Sequence, residues 1–182
     1  EGATGDAIVL YGDTPFIRPE TLEAMIEARA RHAVVVLGFE AADPARYGRL
    51  VTEGDALLRI VEFKDASETE RAIGLCNSGL MACDAATLFD LLAKVGNDNA
   101  AGEFYLVDIV NIANADGRHC AVVTTDPFDV AGINSRAELA SMEAAWQDRR
   151  RTQAMADGAS LIAPETVWFS YDTVIGRDVV IQ

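Results

Sequence analysis

Only two histidines occur among the 182 residues, His32 and His119, and they stand apart from each other and from any acid cluster. Neither spacing suits a zinc site or a nucleophile–base–acid triad. Cysteine is nearly as scarce. Cys76, Cys83 and Cys120 form an odd set without a Cys-x-x-Cys pair, each in an apolar context, and they read as buried free thiols in a reducing cytosol. No apolar run approaches the length of a membrane span, and no charged-then-apolar segment opens the chain. An initiator Met is also missing. Glu1-Gly2-Ala3-Thr4-Gly5-Asp6 reads as a loop leading directly into a strand, as in a chain cut from something longer. Basic residues are outnumbered, 15 against 29 acidic, for a net charge of −14. Such a surface disfavours nucleic-acid polymers and anionic membranes. A small anionic substrate would need a metal ion or local cations such as Arg18, Arg49 or Lys64, which otherwise read as solvated surface.

With five prolines and half of its residues hydrophobic, the chain has the apolar material for one full domain and part of a second. Its most informative stretch is Ile8-Val9-Leu10-Tyr11-Gly12-Asp13-Thr14-Pro15. Ala7 to Leu10 suit a strand buried on both faces of a parallel sheet. Gly12 permits a turn or a close approach to a ligand. Asp13 then falls just past the strand's carboxyl end, where open α/β sheets bind ligands and where a carboxylate can hold Mg²⁺ or simply cap a turn.

Strand and helix patterns alternate beyond this point. Phe16 to Thr21 opens a helix with Pro19 in its first turn and an apolar stripe of Leu22, Met25, Ile26 and Ala30. Strands are expected at Ala33 to Phe39, Leu58 to Phe63, Leu75 to Ala82 and Cys120 to Thr125, with residues 41 to 50 a loop. Helices are expected after the Ser67/Glu70 capping box, after Asp84, and from Phe104 to Ala115. This order predicts a doubly wound α/β fold with a mixed, mostly parallel sheet. Ser135 and Glu138 form a second capping box, opening a long helix with Leu139, Met142, Ala145, Trp146 and Met155 on one side and Arg149-Arg150-Arg151 as a solvated face. Ile175 and Ile181, six apart, fit one hexapeptide of a parallel β-helix or an ordinary strand.

Polar residues at element ends mark where chemistry can sit. Glu62 continues the face of Leu58 and Ile60 at a strand's carboxyl end, either as a ligand contact or as a partner of Lys64. Asn77 interrupts a buried strand on the side of Gly79 and Met81, so its amide must find backbone or a bound hydroxyl. Gly48, in Tyr47-Gly48-Arg49, serves a turn or lets backbone approach a ligand. Asn134 caps the long helix or places its oxygen on a metal.

Six segments occur together in order: Leu10–Pro15, Tyr47-Gly48-Arg49, Ile60–Ala66, Asn77-Ser78-Gly79, Asn99–Ile109 and Val130–Arg136. With them the chain, from residue 6 to its end, resembles the uridyltransferase domain of the bacterial bifunctional N-acetylglucosamine-1-phosphate uridyltransferase/glucosamine-1-phosphate N-acetyltransferases. The resemblance implies a Rossmann-like nucleotidyltransferase domain over 1–133, a linker helix over 134–158, and the first coil of a left-handed parallel β-helix over 159–182. It implies Mg²⁺ on Asp13 and Asn134, nucleotide-sugar contacts from Tyr11 and Gly12, and N-acetylglucosamine contacts from Gly48, Glu62 and Asn77. It further implies UTP, UDP-N-acetylglucosamine and N-acetylglucosamine 1-phosphate as partners, acetyl-CoA and a homotrimer for the whole enzyme, and a cytoplasmic place in cell-wall precursor synthesis. The family's glycine-rich loop, with its arginine and lysine, is absent from this sequence. The 182 residues alone are therefore expected to be inactive. Two alternatives stand beside this reading: another sugar-1-phosphate nucleotidyltransferase, and a non-catalytic sugar-binding or oligomerisation fragment.

Overall fold

The computed structural model describes residues 4–182, so the first three residues of the opening loop lie outside the described residues. The chain divides into two compact units, Glu1–Gly132 and Ile133–Gln182.

The first unit is built on a six-stranded mixed sheet in the order β1-β5-β2-β6-β4-β3. Its strands are β1 (Asp6–Val9), β2 (Val34–Glu40), β3 (Arg49–Glu53), β4 (Ala56–Val61), β5 (Leu75–Asp84) and β6 (Cys120–Thr125). β2 and β6 pair in parallel, from Val34↔Cys120 to Phe39↔Thr125. β5 runs antiparallel to β1, β2 and β3, and β4 is antiparallel to β3 and β6. Strands β1, β2, β3 and β6 thus share one direction, while β4 and β5 oppose it. β5 inserts between β1 and β2, so strands of like direction are seldom immediate neighbours.

Helices cover both faces. Val34 and Val36 of β2 join Leu88 and Leu91 of α3 (Ala85–Leu92) and Ile109, Val110 and Ala113 of α4 (Asp108–Ala115) in one core. Val35, Leu37 and Phe39 face the other way, into a second core with Met25 of α1 (Pro19–Arg29). The period of two along a strand apolar on both faces produces these two layers. Pro19 stands at the start of α1, the Ser67/Glu70 capping box opens α2 (Glu68–Arg71), and Asp84 accepts from the Thr87 N–H at the start of α3. All three cysteines are buried free thiols, and burial pushes those of Cys83 and Cys120 up to about 11.

Several local expectations require correction. β1 is half-buried and has an antiparallel partner in β5, so it is not a strand enclosed in a parallel sheet. The supposed loop of residues 41 to 50 already contains the start of β3. α4 begins at Asp108, not at Phe104. The buried side of α1 presents Thr21 and Met25, leaving Ile26 and Ala30 exposed.

The second unit holds α5 (Arg136–Ala156) and a short parallel pair, β7 (Ser160–Leu161) with β8 (Val180–Ile181). The pairing Leu161↔Ile181 joins residues 20 apart in the chain. Ile175 and Ile181 are both half-buried, whereas Val174 and Val180 are exposed. Leu139 and Met155, expected on the apolar side of α5, are exposed. The buried residue is Gln147, whose amide donates to Phe169 O and accepts from Phe169 N, both at 2.8 Å. Arg150 and Arg151 depart from the expected solvated face. They are half-buried and donate to Thr173 O and Val167 O.

Candidate active site

Three of the residues read from the sequence meet at one end of the sheet. Arg49 pairs with Val61 across β3 and β4, so Gly48, just before β3, lies opposite Glu62, just after β4. A Cβ built on Gly48 would stand 3.0 Å from Glu62 Oε1. On the other side, the Asn77 N–H donates to Gly48 O at 2.9 Å. Gly48 is therefore the middle of three adjacent chains, with Glu62 and Asn77 as its neighbours. Its φ is not positive, and the atom nearest to the space a side chain would take belongs to the Glu62 carboxylate.

Glu62 reaches this position by a route the alternation did not anticipate. Val51 pairs with Arg59 but Thr52 with Leu57, so β4 carries an extra residue at Leu58. Leu57 and Ile60 are buried while Leu58 is exposed, so Glu62 does not continue a face that includes Leu58. Asn114 of α4 donates to both Leu57 O and Leu58 O at 2.8 Å, satisfying the carbonyls that the bulge frees.

Asn77 also sits at a bulge. Val36 pairs with Met81 and Gly38 with Asn77, so Ser78, Gly79 and Leu80 of β5 face a single residue, Leu37. Asn77 is 8% exposed, and its Oδ1 accepts the Gly79 N–H at 2.9 Å. Its Nδ2 meets no acceptor among the described residues, which leaves its two N–H donors available. Ser78 Oγ donates to Leu37 O at 2.6 Å and accepts from Leu80 N at 3.2 Å, pinning the bulge.

Arg49, a candidate cation for an anionic substrate or else solvated surface by its sequence, is 2% exposed and fits neither reading. Its guanidinium donates to the carbonyls of Pro44, Ala45, Tyr47 and Arg71. It lies 5.9 Å from the centroid of Phe63, whose ring also carries Arg71 at 4.5 Å. Arg49 thereby organises the turn that delivers Gly48. Arg18 is likewise committed, donating to the buried carboxylate of Asp129 at 2.6 Å. Of the three candidate cations, Lys64 reaches the open cleft.

That cleft has a volume of about 510 Å³ and is lined by Arg46, Glu62, Phe63, Lys64, Glu103 and Tyr105. Burial raises the Glu62 carboxyl above its ordinary range, and the charges of Asp65 and Asp108 add to this. Asp108 is raised in the same way, by burial and then by Asp65. Arg46, Glu103 and Tyr105 were not singled out from the sequence. The pointer to two of them was Asn99, four residues before Glu103. Asn99 Oδ1 accepts from Ala101 N and Glu103 N, and Asp65 accepts from Ala100 N, so Glu103 and Tyr105 leave a fixed turn.

Tyr11, Gly12 and Asp13 form an exposed turn after β1, closed by Thr14 donating to Tyr11 O. The Tyr11 ring lies against Gly79, which joins this turn to the Asn77 bulge. Asn134 belongs to the second unit; it is exposed, and its N–H donates to Glu138 Oε2 at 2.6 Å. Ser135, not Asn134, caps α5. Among the described residues, no group of three or more His, Cys, Asp and Glu could hold a metal ion. Asp13 in the first unit and Asn134 in the second are each exposed, and each carries a side-chain oxygen of the hard kind that Mg²⁺ accepts.

No family model matches the chain. Among curated proteins it is 64% identical over 184 residues to the Bifunctional protein GlmU of Sphingopyxis alaskensis, covering all of this chain and 41% of that protein. It is 62% identical over 185 residues to the protein of the same name from Novosphingobium aromaticivorans, with the same coverage of both. Among solved structures, the nucleoside-diphosphate-sugar pyrophosphorylase from Vibrio cholerae RC9 shares the fold. Its TM-score is 0.60 at 14% identity, over 78% of this chain and 57% of that one. The chain spans about two fifths of the length of the curated relatives it matches, and along the whole of that span it is homologous to the bifunctional GlmU proteins.

Proposed function

We propose that this chain carries the sugar-binding side of a uridyltransferase site. The reaction, performed by the full-length protein, transfers UMP from UTP to N-acetylglucosamine 1-phosphate. A phosphate oxygen of the sugar phosphate attacks the α-phosphorus of UTP, the bond to the β-phosphate oxygen breaks, and pyrophosphate leaves with its electron pair. UDP-N-acetylglucosamine remains, a precursor for the cell wall. The observation that carries this reading is the convergence of Gly48, Glu62 and Asn77 at one end of the sheet, where Glu62 also lines the cleft.

Each residue has a role that its chemistry allows. The bare backbone of Gly48 leaves room for a sugar ring next to Glu62. Glu62 accepts from sugar hydroxyl or amide protons. Asn77, its oxygen already engaged by Gly79, donates from Nδ2 to a sugar oxygen. Tyr105 gives the cleft an aromatic wall with a polar tip. Tyr11 and Gly12 line the nucleotide portion. Asp13 would offer a hard oxygen ligand to Mg²⁺, which when bound offsets the negative charge of the phosphates. The rest of the catalysis is positioning, and no nucleophilic side chain is called for.

By the same homology, the full-length protein also transfers an acetyl group from acetyl-CoA to glucosamine 1-phosphate, assembles as a homotrimer and works in the cytoplasm. The test of the main reading is a pyrophosphate-release assay on the full-length protein with UTP, Mg²⁺ and N-acetylglucosamine 1-phosphate. Turnover lost on Glu62→Ala or Asn77→Ala, with thermal melting retained, supports the reading. Turnover unaffected by both changes overturns it.

A further inference from the structure

The bulge of β5 does more than hold Asn77. Gly79 has a φ of +88°, which side-chain-bearing residues rarely adopt. Its position is closed for a second reason. A Cβ built on Gly79 would stand 2.2 Å from Tyr11 Cε2 and 3.1 Å from both Cδ2 and Cζ. The aromatic ring therefore occupies the space where the side chain of residue 79 would be. The N–H of the same glycine holds Asn77 Oδ1 at 2.9 Å. One residue thus touches both a group read as a nucleotide-side contact and a group read as a sugar-side contact.

We infer that Gly79 is a positioning residue that sets the Tyr11 ring and the Asn77 amide relative to each other. The inference rests on the sugar-nucleotide reading of this site. Ser78 anchors the arrangement, since its hydroxyl bridges Leu37 O and Leu80 N and fixes the bulge to the neighbouring strand. Bulges of this kind re-aim side chains beside functional sites, and here the re-aimed groups belong to two parts of one ligand. A methyl group at residue 79 displaces the ring from its seat while leaving every atom of Tyr11 and Asn77 in the protein.

The experiment is a double-mutant cycle in the full-length protein. UDP-N-acetylglucosamine is titrated by calorimetry into the native protein, Gly79→Ala, Tyr11→Ala and the double variant, and thermal melting is recorded for each. Gly79→Ala is expected to weaken binding about tenfold in the native background but less than about twofold once Tyr11 is alanine, because contacting residues couple. Equal losses in both backgrounds, or no loss in the native one, overturn the positioning role. If Gly79→Ala alone fails to fold, recovery of a melting transition in the double variant supports the role. Failure of the double variant as well shows that the backbone angle alone excludes a side chain, and overturns it. No binding by the native protein overturns the reading of the site and the positioning role together, whereas binding without coupling overturns the positioning role only.

Discussion

Glu62 Oε1 lies 3.0 Å from the place where a side chain on Gly48 would begin. A methyl group there forces the half-buried Glu62 carboxylate to move by a few tenths of an ångström. Gly48→Ala is therefore expected to raise KM for N-acetylglucosamine 1-phosphate about tenfold in the full-length protein, while changing stability by less than about 1 kcal/mol. Steady-state pyrophosphate release and a urea melt measure the two effects. An unchanged KM would show that the carboxylate position is immaterial to substrate.

Asn77→Asp keeps an oxygen for the Gly79 N–H and replaces the Nδ2 donors by a second acceptor. A sugar oxygen then meets an acceptor where it had a donor. The expected loss is about 1–3 kcal/mol of affinity for UDP-N-acetylglucosamine, measured by calorimetry on the full-length protein. Equal affinity for the two proteins would contradict the assigned orientation of the amide.

Replacing Arg49 removes a donor from four carbonyls at once, those of Pro44, Ala45, Tyr47 and Arg71, at a site 2% exposed. Arg49→Met is expected to destabilise the protein by about 3 kcal/mol, read as a lowered urea midpoint at constant slope. Arg49→Lys is expected to recover little, because one ammonium cannot span the carbonyls that the guanidinium fork reaches. A melt unchanged by either substitution would refute this structural role.

Glu62 also makes a prediction about pH. Its carboxyl is raised above the ordinary 4.5 by burial, then by Asp65 and Asp108. The folded state therefore holds this proton more tightly than the unfolded chain. The group's favourable contribution is complete below 4.5 and is lost as pH rises through the folded value. Glu62→Gln is expected to be more stable than the native protein at neutral pH, with the difference shrinking as pH falls towards the ordinary carboxylate range. Urea melts across that range read the trend, and a difference that grows on acidification would reverse the assignment.

The central strand β2 was legible because its burial is nearly uniform: Val34 to Phe39 are all buried, so a one-residue error of phase changes nothing. The capping boxes and Asp84 were legible because a cap is a local hydrogen bond between residues three apart. The bulges were not. A period of two, carried across Leu58 or across Ser78 to Leu80, assigns residues to the wrong face, and the compensating partner, Asn114, lies 57 residues from Leu57. Arg49 was misread for a related reason: its partners are main-chain carbonyls that have no sequence signature. Gly48, Glu62 and Asn77 stood out in the sequence as polar or glycine positions at element ends, but nothing in their spacing showed that Gly48 would stand between the other two. Tyr105 and Glu103 went unremarked because a polar loop residue shows its direction only after the turn at Asn99 is built.

The parallel ladder between β2 and β6 has a kinetic consequence. It joins Val34 to Cys120, with the whole of β3, β4, β5 and three helices in between. The β3–β4 hairpin, by contrast, closes over a two-residue turn from Glu53 to Ala56. Ordering a long intervening chain costs entropy before any contact repays it, so contact order is high at the centre of this sheet and low at its hairpin edge. Folding should therefore begin at the hairpin and wait for β6. Until β6 arrives, one long side of β2 remains unpaired, and Val34 to Phe39 is the segment through which a slow-folding or newly synthesised chain is most exposed to pairing with a neighbour.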